Sequence, residues 1–246
     1  MNTDLTVKTA QAADVAGIGY EGFRTWLKRG LLKPTGTLPK FYAPDAPAEI
    51  ADAKRWRWSS FGFADLCSFR LTKILLDAGL SWEVVNSIVS DHGLWQSHRS
   101  DNPASRYLAV FQGTSQWTLY SAETLATDLN TGTIRSDWMT LVDLHELRQN
   151  VVFRNRAAAL RAVADDLIRT SHVFVTSGNA MLTPGEEAGR RLDIEKLAGE
   201  IGGVATEAEQ GSGSYQQFEV ILTSLHRMGK FPDASAVSAV AVAFTE

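Results

Sequence analysis

Apolar side chains in the first 92 residues recur three and four positions apart, which is the spacing of one face of a helix. The pattern predicts two short helices with a tight glycine-containing turn at residues 16–19, and two more helices further along. The predicted helices cover Ala10 to Val15, Tyr20 to Leu27, Phe63 to about Ala78 and Trp82 to about Val89. Two short helices joined in this way are typical of a helix-turn-helix, and also of an αα-hairpin in a core.

Residues 33–60 contain four prolines and end in alternating basic and aromatic side chains. As a strand, this run places Lys54, Trp56 and Trp58 on one face and Arg55 and Arg57 on the other. Such a strand is typical of a β-wing whose arginines reach phosphates. It also fits a solvated strand with its tryptophans in the core.

The second half predicts strands at 107–111, 116–120 and 140–143, a short helix at 123–129 and a long helix from Leu144 to about Thr170. Residues 176–189 are interpreted as a loop and 202–214 as a flexible stretch, with helices at 193–201 and 215–228. The fold class predicted is α+β. The predicted domains are residues 1–92, a linker at 93–105, and a C-terminal domain at 106–246 with a flexible tail.

The composition is that of a globular protein, with 44% hydrophobic and 21% charged residues in 246. No apolar run is long enough to suggest a membrane span. The first residues lack the basic and apolar regions of a signal peptide, so a cytoplasmic location is expected. The single cysteine, Cys67, excludes an internal disulfide framework.

Basic residues concentrate near the predicted turn and wing. The net charge is −4, yet residues 24–57 hold 8 basic side chains against 3 acidic ones. A locally basic region on an acidic protein is compatible with nucleic-acid binding there. It is equally compatible with an ordinary solvated face.

Linked motifs over residues 6–92 resemble the MerR family of winged helix-turn-helix transcription regulators. In that family the second helix carries a Leu-Arg-aromatic-aromatic element and ends in Gly-Leu, the wing has an Arg-x-aromatic step before an acidic-Leu helix start, and a later helix ends in Gly-Leu-Ser. The corresponding residues here are Phe23-Arg24-Thr25-Trp26 with Gly30-Leu31, Arg57-Trp58 before Asp65-Leu66, and Gly79-Leu80-Ser81. This chain differs from the family pattern in three places. Gly19-Tyr20-Glu21-Gly22 stands where the family usually has Ser-Pro-x-Thr, and the connection to the wing is longer. The C-terminal half does not match the short effector loop of the metal-sensing members.

The resemblance implies that the second helix lies in the major groove and that the wing grips the flanking backbone. The DNA-binding residues expected on this basis are Tyr20, Glu21, Arg24, Lys28, Arg29, Lys54, Arg55 and Arg57. It also implies a homodimer on a pseudo-palindromic promoter, with RNA polymerase as a further partner. Dimerisation is expected through the long helix, by Leu144, Leu147, Val151, Ala158, Leu160, Val163 and Leu167, whose alternative role is packing within one chain.

No catalytic constellation, metal-ligand pair or cofactor motif is found. The five histidines show neither His-x-x-x-His nor Glu-x-x-His spacing, and no Gly-Lys-Ser/Thr follows the glycine-rich stretches. The chain is therefore expected not to be an enzyme. Two other classes stay open: an architectural or phage-type DNA-binding protein, and a ligand-binding or protein-interaction module in which Trp117, Tyr120 and Trp138 line an apolar pocket.

Overall fold

The structure, a computed structural model, describes residues 7–32, 60–99, 103–111, 116–134, 139–176 and 183–210. It is a mixed α+β fold, mostly helical, whose described strands form a two-stranded and a three-stranded antiparallel sheet. The elements in chain order are β1 (Val7–Lys8), α1 (Thr9–Ala16), α2 (Tyr20–Lys28), β2 (Ser60–Phe61), α3 (Phe63–Asp77), α4 (Trp82–Val89), α5 (His92–Arg99), β3 (Tyr107–Phe111), β4 (Gln116–Tyr120), α6 (Ala122–Asn130), β5 (Met139–Asp143), α7 (Leu144–Thr176) and α8 (Pro184–Glu209).

The chain divides into two compact units, residues 1–151 and 152–246. Helix α7 contributes residues to both units, because it runs from Leu144 to Thr176. The sequence had placed a domain boundary at 93–105 instead.

The first unit begins with α1, which packs on α2 and on α3, and α2 contacts α3 through the rings of Phe23 and Phe69. Strand β1 leads directly into α1 and pairs antiparallel with β2, so that Val7 lies opposite Phe61. Helix α4 follows α3 after a glycine turn, and the Ser81 side chain accepts a hydrogen bond from the Val84 N–H at 3.5 Å. Ser81 is thus the N-cap of α4, the helix that the sequence predicted from Trp82.

A three-stranded antiparallel sheet completes the first unit, in the order β4-β3-β5. Central strand β3 places Leu108 opposite Leu119 of β4 and Val142 of β5. The three residues in the middle of β3 are buried, although alternate ones face opposite sides of the sheet. The strands and α6 lie within about one residue of the predicted bounds.

The second unit, in its described part, consists of the C-terminal portion of α7 and the whole of α8. These helices share a buried cluster that contains six alanines together with larger residues such as Leu160, Leu167, Ile194 and Ile201. The small side chains allow two helix backbones to approach closely. Glu209 closes the cluster at one end, where it forms ion pairs with Arg154 at 2.6 Å and with Arg161.

Two sequence predictions need correction. Residues 93–105 were expected to be a linker, but 92–99 form α5, in which Leu94 and Trp95 are buried and the Trp95 indole N–H donates to the Val89 carbonyl at 2.7 Å. Residues 184–189 and 202–209 were expected to be loop and flexible chain, but both belong to α8. The helix and tail predicted from 215 onward lie outside the described residues.

Candidate functional site

The N-terminal end of α2 is positioned by a tight turn after α1. Gly17 adopts φ 74°, in the left-handed region where a side chain would be strained. Its N–H donates to the Asp14 carbonyl and the Ile18 N–H donates to the Ala13 carbonyl, both at 3.0 Å. This pair of bonds is a Schellman cap, which ends α1 and leaves three residues before α2 begins.

The C-terminal end of α2 has the same kind of cap. Gly30 adopts φ 69°, and the Leu31 N–H donates to the Trp26 carbonyl at 2.8 Å. Both ends of α2 are therefore fixed by backbone hydrogen bonds. The bounds of α2 therefore depend on Gly17 and Gly30, since glycine is the usual residue just after the end of a helix.

One side of α2 is held in the core by three aromatic rings. Phe23 of α2, Phe61 of β2 and Phe69 of α3 are all completely buried. Their rings meet edge to face, with centroids 5.2–5.8 Å apart. Such pairs stabilise by roughly 0.5–1.5 kcal/mol beyond their buried area. Phe23 and Leu27, which is also buried, thus anchor the helix.

Exposed positions of α2 carry three charged side chains and one tyrosine, and the exposed Arg29 follows the last residue of the helix. Glu21, Arg24, Lys28, Arg29 and Tyr20 all lie at the surface, and Tyr20 is 47% exposed. The Arg24 guanidinium lies 3.4 Å from the Glu21 carboxylate and 5.6 Å from the centre of the Tyr20 ring. The structure therefore brings together Tyr20, Glu21 and Arg24. Lys28, the last residue of α2, and Arg29, which follows it, are exposed at the C-terminal end of the helix.

The other predicted site residues have different outcomes. Lys54, Arg55 and Arg57 of the predicted wing lie outside the described residues. The seven residues proposed for dimerisation are each at most 4% exposed within the single chain: Leu144, Leu147, Val151, Ala158, Leu160, Val163 and Leu167. Their burial favours the intramolecular packing role that the sequence had left open.

The contacts of three polar side chains of the first unit were not predicted from the sequence, because nothing in the spacing of these residues distinguishes them. Arg70 of α3 donates to the Ala16 carbonyl of α1 and to Asn150 of α7, each at 3.2 Å. Arg148 of α7 lies over the Phe63 ring at 5.9 Å. Asp143 caps α7 and pairs with Arg106 at 2.8 Å.

Nucleophilic and metal chemistry find little support within the described ranges. There, no group of three or more His, Cys, Asp and Glu residues is placed to hold a metal ion. Burial raises the pKa of the Cys67 thiol to about 12, so the thiolate is scarce at neutral pH. The described helices also include none with both the length and the apolar character to cross a membrane.

No protein-family model matches this chain, and no curated protein matches it either. The candidate functional site is the exposed surface of α2, a helix held between the glycine caps at Gly17 and Gly30.

Proposed function

We propose that the chain is a sequence-specific DNA-binding transcriptional regulator, with a MerR-like winged helix-turn-helix in its first unit and α2 as the recognition helix. The observation that carries the proposal is the division of α2 into a buried anchoring side and an exposed side rich in basic groups. A helix that enters the major groove needs this division, because its outer side chains must reach base edges and phosphates.

The exposed side chains suit distinct contacts. Arg24 offers forked donors for guanine or phosphate, and Lys28 and Arg29 suit phosphates. The Glu21–Arg24 pair is exposed, and such pairs contribute only about 0–1 kcal/mol. Arg24 can therefore leave Glu21 for DNA at little cost. Lys54, Arg55 and Arg57, the residues proposed for the wing, precede strand β2 in the sequence, and β2 pairs with β1.

A homodimer is part of the proposal, since one recognition helix makes few base contacts and two would read a pseudo-palindrome. The dimer contact uses surfaces other than the seven predicted residues of α7, because those are buried within one chain. RNA polymerase at the promoter is the further partner that the family resemblance suggests.

The test is a selection of bound duplexes from randomised double-stranded DNA, made with the full chain. We expect an enriched motif with two-fold symmetry. Arg24→Ala should weaken binding to the selected duplex about tenfold or more. Lys28→Ala should weaken binding to all duplexes. It should also reduce by about one the number of counterions released on binding, measured from the slope of log affinity against log salt concentration.

Arg169→Ala is the matched control, because Arg169 is an exposed arginine of the second unit that pairs with Asp166. It should leave the selected motif and the affinity unchanged. Tight binding without a shared motif would favour an architectural DNA-binding protein instead. Absence of binding to any duplex would overturn the proposal.

A further inference from the structure

Arg70 joins three helices of the first unit through one guanidinium group. It lies on α3 and is half-buried. Its Nη1 donates to the Ala16 carbonyl of α1, and its Nε donates to the Asn150 Oδ1 of α7, each at 3.2 Å. These partners are 54 and 80 positions away in sequence, so the contacts are tertiary.

The Ala16 carbonyl lies where the direction of α2 is decided. Ala16 is the last residue of α1, and carbonyls at a helix C-terminus have no partner inside the helix. A cation at that end also interacts favourably with the helix dipole. Only residues 17–19 separate Ala16 from α2, so a group that holds this carbonyl, in addition to the Gly17 cap, restricts the chain that leads into α2.

Asn150 determines how the Arg70 guanidinium is oriented. The guanidinium is a rigid plane, so a bond at Nε limits where Nη1 can point. Helix α7 holds α3 at a second place through Arg148, which lies over Phe63. A change at α7 thus reaches the end of α1 through one planar group.

We propose that Arg70 is a positioning residue for the exposed side of α2, and that it couples α2 to α7 through Asn150. The inference rests on the proposed function, in which α2 contacts DNA. Arg70 itself lies on α3 and acts through the Ala16 carbonyl. In this arrangement α7 influences the position of the exposed side of α2 relative to DNA, while the packing of Phe23 in the core stays unchanged.

The test uses Asn150→Ala, Asn150→Asp and Arg70→Lys in the full chain. The first measurement is hydrogen exchange over residues 17–23, which requires no DNA. We expect Asn150→Ala to speed exchange there about tenfold while the thermal midpoint moves little. Asn150→Asp should restore the protection, because a carboxylate still accepts from Nε.

The second measurement is affinity for the selected duplex and for an unrelated one. Asn150→Ala should lower the affinity for the selected duplex about tenfold and leave the affinity for the unrelated duplex unchanged. Arg70→Lys should lower the affinity for the selected duplex by a similar factor. The double variant should show no further loss, since both substitutions break the same link between Ala16 and Asn150. Lys73→Ala is the control, because Lys73 also lies on α3 and its ion pair among the described residues is a local one with Asp77.

The outcomes separate this inference from the proposed function. If the wild-type chain selects no duplex, the proposed function fails, and the exchange measurement still decides whether Asn150 controls residues 17–23. Unchanged exchange in Asn150→Ala would overturn the coupling. The coupling would also be overturned if Asn150→Ala lost equal affinity for both duplexes and had a lower thermal midpoint, because Asn150 would then serve only the stability of the fold.

Discussion

Asp143, the last residue of β5, accepts four hydrogen bonds, two from the start of α7 and two from Arg106. Its Oδ1 accepts from the N–H groups of His145 at 2.9 Å and Glu146 at 3.2 Å. Its Oδ2 accepts from two nitrogens of Arg106, at 2.8 and 2.9 Å. Partial burial raises the pKa of Asp143, but these bonds and the Arg106 charge outweigh it, so the pKa lies below its usual 3.8.

We expect Asp143→Asn to lower the free energy of unfolding of the first unit by about 1–2 kcal/mol at pH 7, since a helix cap and a charged hydrogen bond are weakened. Because the folded pKa is depressed, the stabilisation by the carboxylate is present above the unfolded value and is lost as the pH falls through the folded value. The difference between wild type and variant should therefore shrink below about pH 4 in urea titrations.

Glu123→Gln is a suitable comparison, because it removes an exposed carboxylate from the first turn of α6. It should change stability by much less than Asp143→Asn at pH 7. A difference between wild type and Asp143→Asn that stays constant from pH 7 to pH 3 would show that the carboxylate charge contributes nothing.

At the scale of elements, strongly patterned segments were predictable from sequence and weakly patterned ones were not. Helix α4 was predicted with the observed bounds, because Ser81 caps it and its apolar positions follow helical spacing. Helix α5 was missed because its two buried residues are adjacent, so they show no period. The contacts of Arg70 were not predictable, because its partners are distant in sequence.

Helix α8 was predicted too short because glycine was interpreted as loop. It contains five glycines, and Thr183 still forms a capping box with Glu186 before Pro184. A methyl group added at any of these glycines would meet no atom within 4 Å. The helix therefore persists because its buried residues compensate for a weak intrinsic preference.

We expect Gly203→Ala in α8 to raise the free energy of unfolding of the second unit by up to about 1 kcal/mol, since alanine restricts the unfolded chain and fits the helix. Gly79→Ala is the contrasting change, because Gly79 has φ 83° and alanine is strained there. It should destabilise the first unit by about 1 kcal/mol. Urea unfolding followed by circular dichroism measures both, and a destabilised Gly203→Ala would contradict the reasoning.

At the scale of the whole molecule, two units with separate cores imply two unfolding events. Cys67 reports on the first unit, because it is completely buried there and is the only cysteine in the chain. Ile201 is completely buried in the core of the second unit. Each unit can thus be perturbed or followed independently of the other.

We expect Ile201→Ala to destabilise the second unit by about 2–5 kcal/mol and to leave the urea midpoint for Cys67 alkylation unchanged. Ile88→Ala, a completely buried residue of the first unit, should shift that midpoint by a comparable free energy. Pulse alkylation along a urea series, with circular dichroism on the same samples, measures both transitions. A shift of the Cys67 midpoint in Ile201→Ala would mean that the units unfold together.

The two sides of α2 have consequences for how such a protein diversifies. Phe23 and Leu27 hold the helix, whereas Tyr20, Glu21, Arg24 and Lys28 lie on its surface. Substitution of exposed helical residues usually changes stability by less than about 0.5 kcal/mol. Mutational drift at these outer positions is therefore nearly neutral for folding, so new recognition properties can arise in a lineage, or in a randomised library, without a preceding stabilising change.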